Sequence, residues 1–144
     1  QDAAGFNLDT WKNLALTYKH LEHLIDAFMP RTRRNNTYCK TLSGVSDERI
    51  KSVRTIDGLR EVFNNDRYHK VNFEAYSRHR TVEFRQHSGT TNFTKMENWI
   101  RFLNGLITFA KSSSLPSRMT LEGLPFLDGK QKLFFKLRTK KLAV

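Results

Sequence analysis

The sequence has little cysteine, no long apolar stretch and few acidic residues. Cys39 is the one cysteine among 144 residues, which excludes an internal disulfide and a cysteine-only metal site and fits a reducing compartment. No apolar run approaches the ~20 residues of a membrane span, and residues 1–9 lack the basic and apolar regions of a secretory signal. We therefore predict a cytoplasmic protein without a membrane partner.

Several well-known motifs are also missing. The sequence contains no phosphate-binding glycine loop, no zinc-finger spacing and no Ser-His-Asp order with its elbow glycines. His20 and His23 lie three residues apart and could share a metal ion, but no other ligand spacing supports such a site. We interpret these histidines as residues on the flank of a helix.

Positive charge, by contrast, is abundant. There are 25 Lys and Arg residues against 14 Asp and Glu residues, and the resulting formal charge of +11 favours polyanionic partners such as nucleic acid, nucleotides or acidic substrates. Residues 130–144 hold much of this charge and are interpreted as a basic C-terminal helix or tail. The basic residues of this segment are Lys130, Lys132, Lys136, Arg138, Lys140 and Lys141.

Apolar spacings of three and four residues predict the helices. One helix is expected over residues 10–29, capped by Asp9 or Thr10 and ended by Pro30. A short helix is expected over residues 57–63, and a long one after a capping box formed by Thr94 and Glu97. Residues 31–54 have no periodicity and are expected to form a long loop, whereas residues 120–144 should form one short and one longer helix.

Alternating apolar and polar residues predict two strands, residues 70–76 and 81–87, joined by a hairpin turn at residues 77–80. The fold class is therefore α+β, an antiparallel hairpin or sheet packed against several helices, with residues 1–144 as one domain. Alternation places Thr81, Glu83, Arg85 and His87 on one face of the second strand. The carboxylate suits Mg²⁺ and the guanidinium suits carboxylate or phosphate oxygens, but an exposed sheet face with cross-strand ion pairs would show the same pattern.

Residues 78–90, followed at helical distance by residues 97–102, resemble the signature of the amidoligase family. Its members are ATP-dependent carboxylate–amine ligases, common in phages and mobile elements, that are similar to glutamine synthetase and glutamate–cysteine ligase. Residues 8–14, 25–34, 38–39 and 67–72 resemble the same family in the same order. The resemblance thus covers most of the chain and is most specific over residues 83–90.

This resemblance implies a set of site residues. Glu83 would be a Mg²⁺ ligand, and Arg85 would clamp the substrate carboxylate or the transferring phosphate. His87 and Arg80 would join Arg85 as catalytic residues. The cofactor ATP would be bound by Arg85 together with Arg33 and Arg34.

The sequence also departs from the family. Members begin with strands that carry Glu-x-Glu metal ligands and then a Gly-x-His-x-His strand, and neither motif is found here. We therefore expect a C-terminal portion of the ligase fold that is inactive alone. Its partners would be copies of itself in a homo-oligomer, or another chain that carries the missing N-terminal half. Arg80 stands where the family's hairpin glycine is expected. The alternative is a non-catalytic, amidoligase-derived module that binds nucleic acid or a nucleoprotein complex, for example as a phage counter-defence factor.

Overall fold

The computed structural model describes residues 3 and 5–143, and in this part of the chain six α-helices accompany one antiparallel pair of strands. The predicted α+β class is confirmed. None of the helices in these residues has the length and apolar composition that crossing a membrane requires. In chain order the elements are α1 (Leu8–Ala27), α2 (Asp47–Ser52), α3 (Ile56–Val62), β1 (Val71–Asn72), α4 (Ala75–His79), β2 (Glu83–Phe84), α5 (Phe93–Ala110) and α6 (Gly129–Leu142), with 3₁₀ turns at Arg31–Arg33 and Leu121–Gly123.

Helix α1 confirms the prediction for residues 10–29, with its bounds shifted by two residues. Its apolar stripe is fully buried, as the spacing of three and four requires. The predicted cap was wrong, because Asn7 rather than Asp9 or Thr10 caps the helix and its Oδ1 accepts a hydrogen bond from the Thr10 amide at 2.9 Å. The buried residues of the stripe are Trp11, Leu14, Tyr18, Leu21 and Ile25.

Helix α5 packs against α1 and closes the core. The Trp99 and Phe102 rings lie 6.4 and 6.0 Å from the Phe28 ring at the end of α1, both edge to face. The predicted capping box of Thr94 and Glu97 was wrong. Helix α5 starts one residue before Thr94, at Phe93, and Asn92 caps it by accepting from the Lys95 amide at 3.1 Å.

Helix α6 shows that the basic C-terminal segment is folded onto the core. Asp128 and Gln131 form a capping box at its start, which satisfies free amides there. On its inner side Phe135 is buried, with its ring 4.4 Å from that of Phe28. Of residues 130–144, interpreted as a basic C-terminal helix or tail, residues 130–142 are helical, while Val144 lies outside the described residues.

The predicted loop over residues 31–54 contains more structure than expected. Helix α2 lies within it, capped by Ser46, whose Oγ accepts from the Arg49 amide at 3.3 Å. The stretch before α2 is tied to α1, because the Glu22 carboxylate accepts hydrogen bonds from the Leu42 amide and the Thr41 hydroxyl. These anchors join residues about twenty positions apart, so local periodicity could not reveal them.

The first predicted strand is confirmed over two residues, whereas the hairpin turn was wrong. Val71 and Asn72 form β1, and the chain then turns into α4, which occupies most of the predicted turn. The rings of Phe73 and Tyr76 both pack edge to face on Trp11, at 5.9 and 5.2 Å. Residues three apart share a face in a helical turn but not in a strand, so burial of Trp11 selects the helical conformation.

The second predicted strand, residues 81–87, is paired over a much shorter length. Its central residues Glu83 and Phe84 form β2, in register with Asn72 and Val71. The predicted alternation nevertheless holds around β2, since Val82 and Gln86 are buried whereas Glu83 is exposed. The strand is short because its partner β1 offers two residues before the chain enters α4.

Candidate functional site

The sheet positions Glu83 and Arg85, the two residues that the sequence indicated most strongly as site residues. Glu83 lies in β2 opposite Asn72, and the Arg85 amide donates to the Lys70 carbonyl at 2.8 Å, which extends the pairing by one step. Because side chains alternate along a strand, Glu83 and Arg85 project to the same side. Their side chains form an ion pair, with Arg85 Nη1 donating to Glu83 Oε1 at 2.5 Å.

A polar pocket of about 450 Å³ lies on this side of the sheet, next to α4. It has the volume of an ordinary small-molecule site. Four arginines and two glutamates line it, so positive charge prevails. The lining residues are Arg60, Asn65, Arg67, Asn72, Glu74, Ala75, Ser77, Arg78, His79, Glu83 and Arg85; we call this cavity the sheet pocket.

Internal pairing neutralises only part of the charge in the sheet pocket. Arg60 Nε donates to Glu74, and this hydrogen bond raises the pKa of the Arg60 guanidinium. The guanidinium of Arg85 lies 5.2 Å from the centre of the Tyr68 ring, a cation–π contact. Within residues 3 and 5–143, Arg78 forms no ion pair.

Two atoms of the sheet pocket residues are buried without a hydrogen-bond partner in the described part of the chain, Glu74 Oε1 and Arg85 Nε. A buried polar atom left unpaired is costly, and native proteins satisfy nearly all such atoms. One is an acceptor and the other a donor. Both atoms are closed off in this conformation, so they mark unsatisfied buried groups next to the pocket rather than contacts that a ligand already reaches.

The opposite side of the sheet carries a buried polar network. The Lys70 ammonium, fully buried, donates to Asp26 Oδ1 at 2.8 Å and lies 3.4 Å from Glu22 Oε2. Gln86 Nε2 also donates to Asp26, while Gln86 Oε1 accepts from the Tyr18 hydroxyl at 2.7 Å. Burial, and then the nearby Glu22, raises the pKa of Tyr18 well above its usual value. This network joins α1 to both strands.

His87 lies at a different cavity from Glu83 and Arg85. Its ring stacks on Trp99 with centroids 5.3 Å apart, and its Nδ1 donates to the Ser88 carbonyl at 2.6 Å. Burial lowers the pKa of His87, and the cations Arg138, Lys95 and Arg33 lower it further. His87 was predicted on the same strand face as Glu83 and Arg85, but it lies two residues beyond the last paired residue, Arg85, where the alternation of a strand no longer applies.

The other predicted arginines are spread over the surface. Arg80 ends α4 in the left-handed conformation, with φ of 55°, and stacks on Tyr76 outside the sheet pocket. Arg34 Nε donates to the Met29 carbonyl at 3.1 Å, and the Arg33 carbonyl accepts from the Cys39 thiol at 3.2 Å. The structure thus joins Glu83 with Arg85 and brings Arg33 near His87, but the six predicted residues do not share one cavity.

The two histidines of α1 have protein partners. His20 Nε2 is 2.9 Å from Asp47 Oδ2, and His23 Nε2 is 3.1 Å from the Met119 carbonyl. Among residues 3 and 5–143, no group of three or more His, Cys, Asp or Glu side chains could hold a metal ion. The interpretation of these histidines as helix flank residues agrees with these contacts.

Most of the sheet pocket residues were not predicted from the sequence. Arg60 lies in α3, and Arg67 lies in the segment that follows it. Arg78 lies in α4, and Glu74 precedes that helix. The predicted hairpin would have paired Asn72 with Arg85, whereas the structure pairs Asn72 with Glu83. Ala75, Ser77, Arg78 and His79 reach the pocket on the unexpected helix α4, for which the alternation pattern gave no signal.

An arginine-rich pocket that also contains carboxylates lies beside the sheet of this α+β fold, and guanidinium groups suit the oxygens of anionic groups. The family model described as "Putative amidoligase enzyme" matches residues 1–107, about three quarters of the chain. The chain therefore belongs to the amidoligase family, as its resemblance indicated. Comparisons with curated proteins and with solved structures found no match.

Proposed function

We propose that this protein takes part in ATP-dependent ligation of a carboxylate to an amine, with the sheet pocket as the binding site of the reacting groups. The observation that carries the proposal is the placement of Glu83 and Arg85, from the most specific part of the family resemblance, in one cation-rich pocket. The family membership supports the reaction class.

The charges of the sheet pocket suit this reaction. A carboxylate oxygen attacks the γ-phosphorus of ATP, the bond to ADP breaks, and the amine then displaces phosphate from the acyl phosphate and loses a proton. Negative charge gathers on the phosphoryl oxygens, and fixed cations stabilise it. Arg85 would exchange its contact with Glu83 for substrate oxygens, with Arg67 and Arg78 as further cations on the pocket wall.

Magnesium fits this pocket only as a companion of the nucleotide. Mg²⁺ is bound by one or two carboxylates together with substrate phosphates and waters. Glu83 and Glu74 are the two carboxylates of the pocket lining, and each is paired with an arginine, Arg85 and Arg60 respectively. In this proposal Mg²⁺ would neutralise phosphate charge, while Glu83 would hold it on the pocket side of the sheet.

The experiment measures ADP release from ATP with a panel of carboxylates, using hydroxylamine as the amine so that acyl phosphates are trapped as hydroxamates. We expect Glu83→Gln and Arg85→Gln each to lower the rate ~100-fold, the cost of removing one electrostatic contact to the transition state. Glu97→Gln and Arg101→Gln are matched controls, because these residues form an exposed ion pair on α5. Rates that are equal in pocket and control variants, or no ADP release from the full-length protein, would contradict the proposal.

The net charge favours a second candidate, a non-catalytic module that binds nucleic acid or a nucleoprotein complex, such as a phage counter-defence factor. The formal charge is +11, and the exposed lysines Lys130, Lys136 and Lys140 lie on α6. Nucleic-acid affinity should then fall steeply with salt, and replacing these lysines by glutamine should flatten the salt dependence. Salt-independent binding would contradict this candidate.

A further inference from the structure

A second cavity lies between the loop of residues 87–90 and the C-terminal helix α6. Its volume is about 100 Å³, and it is walled on one side by Phe28, Phe134 and Phe135. Lys95 of α5 and Arg138 of α6 supply its charge. The wall contributed by α6, which includes Arg138, lies beyond the residues matched by the amidoligase family, whereas the loop of residues 87–90 and Lys95 lie within them.

The cations of this cavity have no counter-charge. No Asp or Glu lines it, and within residues 3 and 5–143 neither Lys95 nor Arg138 forms an ion pair. Both side chains are partly buried. Two like charges beside an apolar wall repel each other more strongly than they would in water, and an anion between them would offset this cost.

We propose that this cavity binds a tetrahedral oxyanion, either free phosphate or the phosphate group of a monoester, between Lys95 and Arg138. Arginine offers a planar fork of donors for phosphate oxygens and lysine a point charge, which together suit such a group. Ser88 and Thr90 line the same space with hydroxyl groups. The volume lies well below the several hundred Å³ of a site for a whole nucleotide.

His87 provides a spectroscopic reporter for this site. Its Nδ1 donates to the Ser88 carbonyl, so Nε2 is the nitrogen that gains a proton when the ring becomes charged. The groups that face it are the cations Arg138, Lys95 and Arg33, which disfavour that proton, together with the Trp99 ring. A bound oxyanion would compensate these cations and raise the pKa of His87.

The test is a titration of the full chain with inorganic phosphate at constant ionic strength, followed by the NMR signals of the His87 ring. We expect saturable binding and a rise in the His87 pKa when phosphate is bound. Lys95→Gln and Arg138→Gln should each weaken the affinity about tenfold or more, as loss of a charged hydrogen bond requires. Because the two residues lie on different helices, one variant remains informative if the other does not fold.

Lys130→Gln is the matched control, since it removes one positive charge from the exposed side of the same helix α6. Equal affinities in the three variants would overturn the proposal, because phosphate would then respond to overall charge alone. Methyl phosphate in a parallel titration distinguishes the source of the group. Binding of both compounds indicates a monoester site, whereas binding of inorganic phosphate alone indicates a site for the free ion.

Discussion

Both sides of the segment around β2 carry charged and polar groups, but those on one side are mostly buried and those on the other are partly exposed. On the inner side the fully buried ammonium of Lys70 meets the buried carboxylate of Glu22 and the partly buried carboxylate of Asp26. On the outer side the Glu83 side chain keeps 47% of its surface exposed, with Arg85 beside it in the sheet pocket. Buried charges must be matched by the protein itself, whereas charges on a pocket wall remain available to a ligand. The comparison separates groups that hold the fold from groups that can bind.

The largest expected effect comes from removing the buried ammonium. Lys70→Met should lower the free energy of unfolding by about 3–5 kcal/mol, because it leaves the carboxylates of Asp26 and Glu22 without their cation. Urea denaturation measures this loss. Lys40→Met is the control, since Lys40 pairs with Asp66 but is partly exposed and should contribute no more than about 1 kcal/mol. Equal losses would show that the inner network has no special role.

A smaller loss is expected for Gln86→Leu. The substitution leaves the Tyr18 hydroxyl without its acceptor in a buried position and should lower the free energy of unfolding by about 1–3 kcal/mol. Combining it with Tyr18→Phe gives a double-mutant cycle. We expect the double variant to lose less than the sum of the single losses, and strict additivity would argue against the hydrogen bond.

On the outer side, stability should hardly change. Glu83→Gln and Arg85→Gln should each lower the free energy of unfolding by no more than about 1 kcal/mol, as is usual for a solvent-exposed ion pair. Urea denaturation of the variants used in the ligation assay provides the measurement. A loss as large as that of Lys70→Met would mean that this pair holds the fold, which would remove the contrast between the two sides.

The smallest expected effect concerns His87, just beyond the paired region. Its pKa is lowered in the folded state, first by burial and then by Arg138, Lys95 and Arg33, so folding favours the neutral ring. The stabilisation is therefore complete above the unfolded pKa of about 6.5 and is lost as the pH falls below it. Denaturation midpoints in phosphate-free buffers should decrease less between pH 7.5 and 5.5 for His87→Asn than for wild type. The same decrease in both proteins would contradict this assignment.

Helices were the part of the fold that could be predicted. The spacing of apolar residues over 10–29 determines which face of α1 is buried, and Trp11 and Ile25 lie there as expected. The capping residues were predicted less well, because neighbouring threonine or aspartate residues were expected where Asn7 and Asn92 cap the helices. Several residues near a helix start can accept the same amides, so the backbone conformation decides among them.

The strands and the candidate site were predicted in part. Glu83 and Arg85 do lie on one side of β2, because alternation is a local property of extended chain. The same rule predicted His87 on this side as well, but His87 lies outside the sheet pocket, because the pairing ends with the Arg85 amide. Arg80 was also expected near the site and instead ends α4.

The sequence by itself determined the amphipathic helices, the alternation around Glu83 and Arg85, the excess of positive charge and the resemblance to the amidoligase family. Each of these depends on residue types at short, fixed spacings. The tertiary structure alone decided that α4 replaces the predicted hairpin turn, that Lys70 meets Asp26, and that Arg138, Lys95 and His87 line one cavity. These arrangements arise when distant segments compete to bury the same aromatic rings and to pair the same charges, and spacing along the chain does not encode that competition.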